Sequence, residues 1–322
     1  MTDPARSAPQ AAQPPHPGPA PQPQPSSPGP LFVPARRLDP SPAGDRRLRR
    51  LTTLVGAVIV LLVVLGLALA SAATWLAGRG YGAVPATTGL GSPTALVLDL
   101  RVGDVRVLPS ADVDELTLAL VEPGETTLPA ADEQVPARLS ESRAGGRTEL
   151  EVGQPSRTFD PPWSAGGREV LLLVPTDLEL ALEVRTRAGD VQADGEFTAL
   201  EVHSDAGDLR LGPLSAPDGV RASTGAGDVD LELVSPAPTA VDVTATTGDV
   251  DVLLPTDAGG RVAVTADVGD IEVAAPGTGR WRVRAESAVG EVRTDPGLEA
   301  GSGEGVGTLT VTSEVGSVDI SR

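Results

Sequence analysis

The 322-residue chain contains no cysteine and no lysine, only two histidines, and 2% aromatic residues. Each shortage excludes something. Without cysteine there is no thiolate nucleophile, no disulfide framework and no thiolate-bound zinc. His16 and His203 do not make a histidine-rich metal centre, and His16 sits among prolines. All 25 basic residues are arginine, against 44 acids, so the formal net charge is −19. Such a chain lacks the basic surface that holds nucleic acid. With so few aromatics, any core must be aliphatic. What is plentiful is Gly (37) and Pro (31), which assigns much of the length to turns and linkers.

The charge divides the chain into three. Residues 1–50 hold seven Arg and three Asp, a net of +4, with 14 of the 31 prolines. This composition predicts a disordered, Pro-rich cytoplasmic tail, because it cannot bury enough apolar surface to offset chain entropy. Residues 51–78 carry no charge. About 20 apolar residues at 1.5 Å rise cross the hydrocarbon core, so this stretch reads as one transmembrane helix. Arg46, Arg47, Arg49 and Arg50 precede it and only Arg79 follows closely. The positive-inside rule then puts the N-terminus in the cytoplasm and the rest outside, a single-pass protein of the cell membrane. Trp75 and Tyr81 fall where an outer aromatic belt belongs. A cleaved signal peptide is the rival, since Ala68-Leu69-Ala70 and Ala70-Ser71-Ala72 suit signal peptidase, yet the leading segment is too long for an n-region. Residues 79–89 read as a linker and residues 90–322 as an extracytoplasmic domain. From residue 79 onward, 18 Arg face 41 acids, a net of −23.

That acidic part is periodic. Gly189-Asp190-Val191, Gly207-Asp208-Leu209, Gly227-Asp228-Val229, Gly248-Asp249-Val250, Gly269-Asp270-Ile271 and Gly290-Glu291-Val292 recur, with Gly316-Ser317-Val318 as a degenerate copy and Gly103-Asp104-Val105 as an early outlier. The steps within the run are 18, 20, 21, 21, 21 and 26 residues. Aliphatic residues keep phase with the glycine. Seven before it stand Leu182, Leu200, Val220, Val241, Val262, Val283 and Leu309, and two after it Val191, Leu209, Val229, Val250, Ile271, Val292 and Val318. Alternation with Glu, Asp, Arg and Thr means half-buried strands. A small residue three before each glycine suits a strand bending into a corner. Each unit is therefore strand, corner, strand. About 20 residues per unit suits an all-β fold, a single-stranded parallel β-helix of stacked coils. An antiparallel sandwich is the structural rival.

Ser110 to Glu169 interrupts the run, with strands expected at 114–121, 137–141 and 148–152, a hairpin turn at Gly145-Gly146 and a loop at Pro161-Pro162-Trp163. This segment is expected to cap the end of the solenoid nearest the membrane.

The stretch Leu98-Asp99-Leu100-Arg101-Val102-Gly103-Asp104-Val105-Arg106-Val107, the run Val170-Leu171-Leu172-Leu173-Val174-Pro175 and the Thr-x-x-Gly-Asp-Val corners resemble the bacterial putative-adhesin domain family. The resemblance spans about residues 90–322. It implies an envelope-associated, non-enzymatic β-helical domain of the kind linked to surface or stress-response proteins. It brings no catalytic residues and no cofactor.

The strongest candidate for chemistry is the acidic column Asp104, Asp190, Asp208, Asp228, Asp249, Asp270 and Glu291. Stacked carboxylates about 4.8 Å apart repel by roughly 1 kcal/mol in bulk water, so something must relieve them. Either each accepts N–H groups of its own corner, as in an Asx turn, or neighbours share Ca²⁺, which takes six to eight oxygens. The nine-residue repeat of calcium-binding β-rolls is absent. A carbohydrate-active enzyme would instead need a cluster such as Asp205, Asp208 and Asp228 with Arg210 or Arg221, plus exposed aromatic platforms, and apart from Tyr81 at the membrane edge only Phe159, Trp163, Phe197 and Trp281 lie beyond the span. His203 reads as a surface side chain. The favoured function is an envelope binder, scaffold or sensor, with an envelope protein or polysaccharide as partner and no nucleic acid. The last copy, Leu309 to Ile320, is expected to be the uncovered end of the stack. Leu309, Val311, Val318 and Ile320 would then be open to a partner or a second copy, because the loop 297–307 offers little apolar cover.

Overall fold

A computed structural model describes residues 51, 53–67, 81–155, 167–301 and 304–322, and the chain divides into two units, Met1–Val64 and Leu65–Arg322. The expectations for residues 1–50, for 68–80 and for Pro161-Pro162-Trp163 lie outside the described residues. Residues 53–67 form a helix, α1, whose apolar side chains, among them Leu54, Ile59, Leu62 and Leu65, are exposed on every side. Among the described residues no helix is long and apolar enough to cross a membrane.

The rest is β-structure. In chain order the strands are β1 (Gly82–Pro85), β2 (Thr87–Gly89), β3 (Ala95–Leu100), β4 (Val105–Ser110), β5 (Thr117–Val121), β6 (Gln134–Ala144), β7 (Arg147–Gly153) and β8 (Glu169–Pro175). The repeat supplies β9 (Ala181–Thr186), β10 (Val191–Glu196), β11 (Ala199–Ser204), β12 (Leu209–Ser215), β13 (Gly219–Ala226) and β14 (Val229–Leu233). Its later copies are β15 (Ala240–Thr247), β16 (Val250–Leu253), β17 (Gly260–Val268), β18 (Ile271–Ala274), β19 (Trp281–Val289), β20 (Val292–Thr294), β21 (Gly307–Val315) and β22 (Val318–Ser321).

Each copy gives one strand to each of two eleven-stranded sheets, ordered β1-β6-β7-β3-β9-β11-β13-β15-β17-β21-β19 and β2-β5-β8-β4-β10-β12-β14-β16-β18-β22-β20. The solenoid of about 20-residue coils is present as a stack of two sheets, with one correction: it is not parallel throughout, for β1 with β6, β6 with β7, β2 with β5 and β5 with β8 run antiparallel. The short hairpin at Gly145-Gly146 forces the reversal between β6 and β7.

The core follows from register. Leu98, Val184, Val202, Ala222, Val243, Val264 and Val311 stack in one column of the first sheet, each at most 1% exposed. Val107, Ala193, Leu211, Leu231, Val252, Val273 and Ile320 form a matching column in the second. Each Val or Leu so buried stabilises by about 1.5–3 kcal/mol relative to exposure. Glycine sets the spacing at the corner. Gly248 has φ +139°, and a Cβ there would stand 2.0 Å from the Gly227 carbonyl oxygen of the neighbouring layer. Neither the dihedral nor the gap admits a side chain.

Layer order departs from chain order at both ends. At the C-terminal end, β21 and β22 pair with β17 and β18 on one side and with β19 and β20 on the other. The last coil is thus inside the stack, and the expectation of a free final coil is overturned: Leu309, Val311, Val318 and Ile320 are buried. The cause is the loop 295–306, which carries the chain past one layer and lengthens the last repeat step. That loop also covers more than its composition suggested. Leu298 is fully buried, Trp281 donates its N–H to Leu298 O (2.7 Å), and Ala300 donates to Trp281 O (2.9 Å). Trp281 fits because Gly307 lies beside it, where a Cβ would come 2.8 Å from its ring.

At the other end β7 and β8 stack on β3 and β4, followed by β6 with β5 and then β1 with β2. Residues 110–169 therefore do supply end layers. The outermost strands come from 82–89, inside the stretch 79–89 that reads as linker, because their backbone pairs with β6 and β5. Strand β8 is buried on both faces. Ala119, Val121, Leu171 and Leu173 form a small second core on the side away from the main one.

Candidate functional site

The corner aspartates form a ladder between layers. Asp190 N–H donates to Asp104 Oδ1 (3.0 Å), Asp208 N–H to Asp190 Oδ1 (3.0 Å), Asp228 N–H to Asp208 Oδ1 (3.1 Å), Asp249 N–H to Asp228 Oδ1 (2.9 Å) and Asp270 N–H to Asp249 Oδ1 (2.8 Å). The acceptance is from the next coil and not from the same corner, which corrects the Asx-turn expectation. At a bend the strand ladder loses its regular partner, and a carboxylate one bond longer than a backbone carbonyl reaches the stranded amide. The backbone closes the same step from the other direction, for Leu209 N–H donates to Asp228 O (2.8 Å). A buried hydroxyl adds a third tie, as when Thr224 Oγ1 donates to Gly207 O (3.1 Å).

The ladder stops at Ser317, whose N–H donates to Asp270 Oδ1 (2.6 Å). Glu291 is not its next rung. The permuted order places the Ser317 layer between Asp270 and Glu291, and Glu291 pairs instead with Arg293. Among the described residues no group of three or more His, Cys, Asp or Glu is arranged to hold a metal ion.

A second acidic column lies three residues after the corner glycines, a phase the sequence carries but the corner motif hides. Asp230, Asp251, Glu272 and Asp319 occupy consecutive layers on the outer face of the second sheet, with Arg210 before them and Arg293 after. Partial desolvation raises the Asp251 pKa above the ordinary carboxylate value, and Glu272, Asp230, Asp249 and Asp228 push it the same way. Arg210, next to Asp230 in this column, makes its ion pairs with the corner column instead, 3.0 Å from Asp208 and 3.7 Å from Asp190.

The first sheet carries a shallow cavity of about 400 Å³ crossing several layers, with a floor of Ala181, Ala199, Gly219 and Ala240 and charged walls that include Glu201 and Arg221. Near the N-terminal end, buried Glu169 accepts Gly124 N–H (2.7 Å) and lies 3.1 Å from Arg106 Nε, an ionic contact too bent to count as a hydrogen bond.

Of the residues an enzyme would need, Asp208, Asp228 and Arg210 come together at the corner. Arg221 is on β13 of the first sheet while Arg210 is on β12 of the second, so the two do not share one cluster. Asp205 lies 3.2 Å from Nε2 of His203, an exposed side chain whose Nδ1 is 2.8 Å from Ser223 Oγ. Phe197 and Trp281 are buried in the core, and Phe159 and Trp163 lie outside the described residues.

Stacked two-stranded coils, with glycine followed by aspartate at most corners, define a β-solenoid of two sheets. Residues 169–321 match the family model described as Toastrack DUF4097, in agreement with what the corner motifs point to. Similar solved structures include a putative cell adhesion protein from Clostridium sporogenes, 14% identical, covering 74% of this chain and 99% of that one, with a TM-score of 0.33. Another is a putative adhesin from Bacteroides fragilis, 10% identical, covering 74% of this chain and 97% of that one, also with a TM-score of 0.33. No curated protein matches the chain.

Proposed function

We propose that the chain is a single-pass envelope protein whose Toastrack domain lies outside the cytoplasm and acts by binding, without enzymatic activity, an envelope protein or polysaccharide. The observation that carries the reading is α1. Its side chains are apolar on every side and exposed, within a stretch of 28 uncharged residues, and a helix of that kind is stable in lipid rather than in water. Four arginines just before it orient the N-terminus inward.

Two features favour binding over catalysis. The corner carboxylates of Asp208 and Asp228, which an acid–base pair would need free, are committed to the amides of the next layer. Among the described residues beyond the span, Phe197 and Trp281 are core side chains and Tyr81 is half-buried at the start of the domain, so none stands as an open platform for a sugar ring. The test of topology uses the absence of native cysteine. A single Cys at Thr126, an exposed loop position, is expected to react with a membrane-impermeant thiol reagent on intact cells, and one at Ser26 is expected to be protected until the cells are lysed. The opposite labelling pattern removes the reading.

A further inference from the structure

In the last layer of the stack, among the described residues, β19 has a strand on one side only. We propose that this edge is a self-recognition surface, through which two copies of the chain join by antiparallel pairing of β19 centred on Ala285. Parity comes first. Trp281 turns its N–H and C=O away from β21, to Leu298 and Ala300 of the loop. Alternate residues of a strand point their backbone groups the same way, so Val283, Ala285 and Ser287 present theirs at the open edge, without partners among the described residues. The loop closes this window at Trp281. The chain closes it again at Val289, whose C=O turns inward to accept Gly316 N–H. The open window is residues 283–287, and its midpoint is Ala285.

A two-fold axis there sets Ala285 against itself and Val283 against Ser287 of the second copy, all three being residues whose backbone groups face the edge. The intervening non-hydrogen-bonded pairs, where side chains come closest, then match Arg284 of each copy with Glu286 of the other. Charge selects this register. A pairing centred on Arg284 would set two arginines face to face, and one centred on Glu286 would oppose two carboxylates. Within one chain Arg284 Nε already donates to Glu286 Oε1 (2.9 Å), and both side chains are well exposed, so the pair stands ready for a second partner.

Two observations support a second copy as the occupant. Exposed valines gather at this end, Val289 (64% exposed), Val292, Val315, Val268 and Val306 all belonging to the last three layers or their loop. The opposite end is a poor mate. There β1 has four residues and ends in Pro85, the kind of blunted edge that resists strand addition, so head-to-tail growth is blocked while a closed two-fold pair is not.

The inference does not depend on the membrane reading. Sedimentation velocity of the full-length chain in detergent is expected to show a dimer. Ala285→Pro removes only an outward N–H that the monomer does not use, and is expected to give a monomer with an unchanged melting temperature. Glu286→Arg, which gathers four arginines about the axis, is expected to do the same. The exchange Arg284→Glu with Glu286→Arg restores the alternation and is expected to restore the dimer. A native chain that sediments as a monomer overturns the proposal. So does a dimer that survives both Ala285→Pro and Glu286→Arg, because the contact then lies elsewhere, for example in α1. Thiol labelling at Thr126→Cys tests the anchoring on its own, so failure of one idea is told apart from failure of the other.

Discussion

The two ends of the stack are built differently although both tuck a coil of the repeat inside. At the N-terminal end the strands shorten, reverse direction and finish at Pro85, and a second small core thickens the outer face of β8. At the C-terminal end a nine-residue strand without proline finishes the sheet, and one loop covers only its first residue. The difference teaches that a solenoid of this kind can close one edge with irregular chain while leaving the other in full register. The first is a terminus of the fold; the second is a template.

Three substitutions sharpen or break that contrast. Val262 and Val283 occupy the same column, one in the middle and one in the last layer. Val262→Asp is expected to cost about 4 kcal/mol because its carboxylate finds no partner in the core, whereas Val283→Asp, half-exposed in the monomer, should cost about 1 kcal/mol. Chemical denaturation of both variants measures the gap, and equal losses would mean that the last layer is as sealed as the middle. Trp281→Ala empties the one bulky side chain that plugs the C-terminal end and is expected to cost about 3 kcal/mol, read as a lower urea midpoint.

Smaller effects belong to the acidic ladders. Asp249→Ala strands the Asp270 amide and is expected to cost about 1 kcal/mol, while Asp249→Asn keeps an acceptor oxygen and sheds charge, so its melting temperature should equal or exceed that of the native chain. If both variants melt alike, the carboxylate is not holding the amide. Smallest is Asp251→Asn. The folded chain holds the Asp251 proton more tightly than the unfolded chain does, so this group's contribution is fullest below the ordinary carboxylate pKa near 3.8 and is lost as pH rises through the raised value. Removing the charge should therefore stabilise at neutral pH by about 0.3 kcal/mol once solvent screening is allowed for. It should also flatten that part of the acid-range profile of melting temperature.

Much of the fold is legible in the residues. Glycine, acid and aliphatic recur in phase with an alternation of period two, so strands, corners and inward columns follow directly. The order of layers is not legible, because every coil offers its neighbours the same aliphatic column. Val262 would rest on Val283 as readily as on Leu309. The hints were the longer last step and Ser317 in place of an acid, and both make sense only once the last coil is seen between two others. The acidic column of Asp230, Asp251 and Glu272 was written in the sequence three residues past each glycine, masked by the stronger corner signal. Glu169 carried no such mark, since its partners Arg106 and Gly124 lie far off in the chain.

The central claim is that the C-terminal coil lies inside the stack, and paired cysteines test it in a chain that has none. Thr265 and Thr312 face each other across β17 and β21, and Glu286 lies beyond them on β19. Adjacent strands are about 4.8 Å apart, within reach of a disulfide, and alternate strands about 9.6 Å apart, beyond it. With Thr265→Cys and Thr312→Cys together, mild oxidation is expected to give an intramolecular disulfide. With Thr265→Cys and Glu286→Cys it is expected to give none, and a disulfide in the second pair but not the first would contradict the order of layers described here.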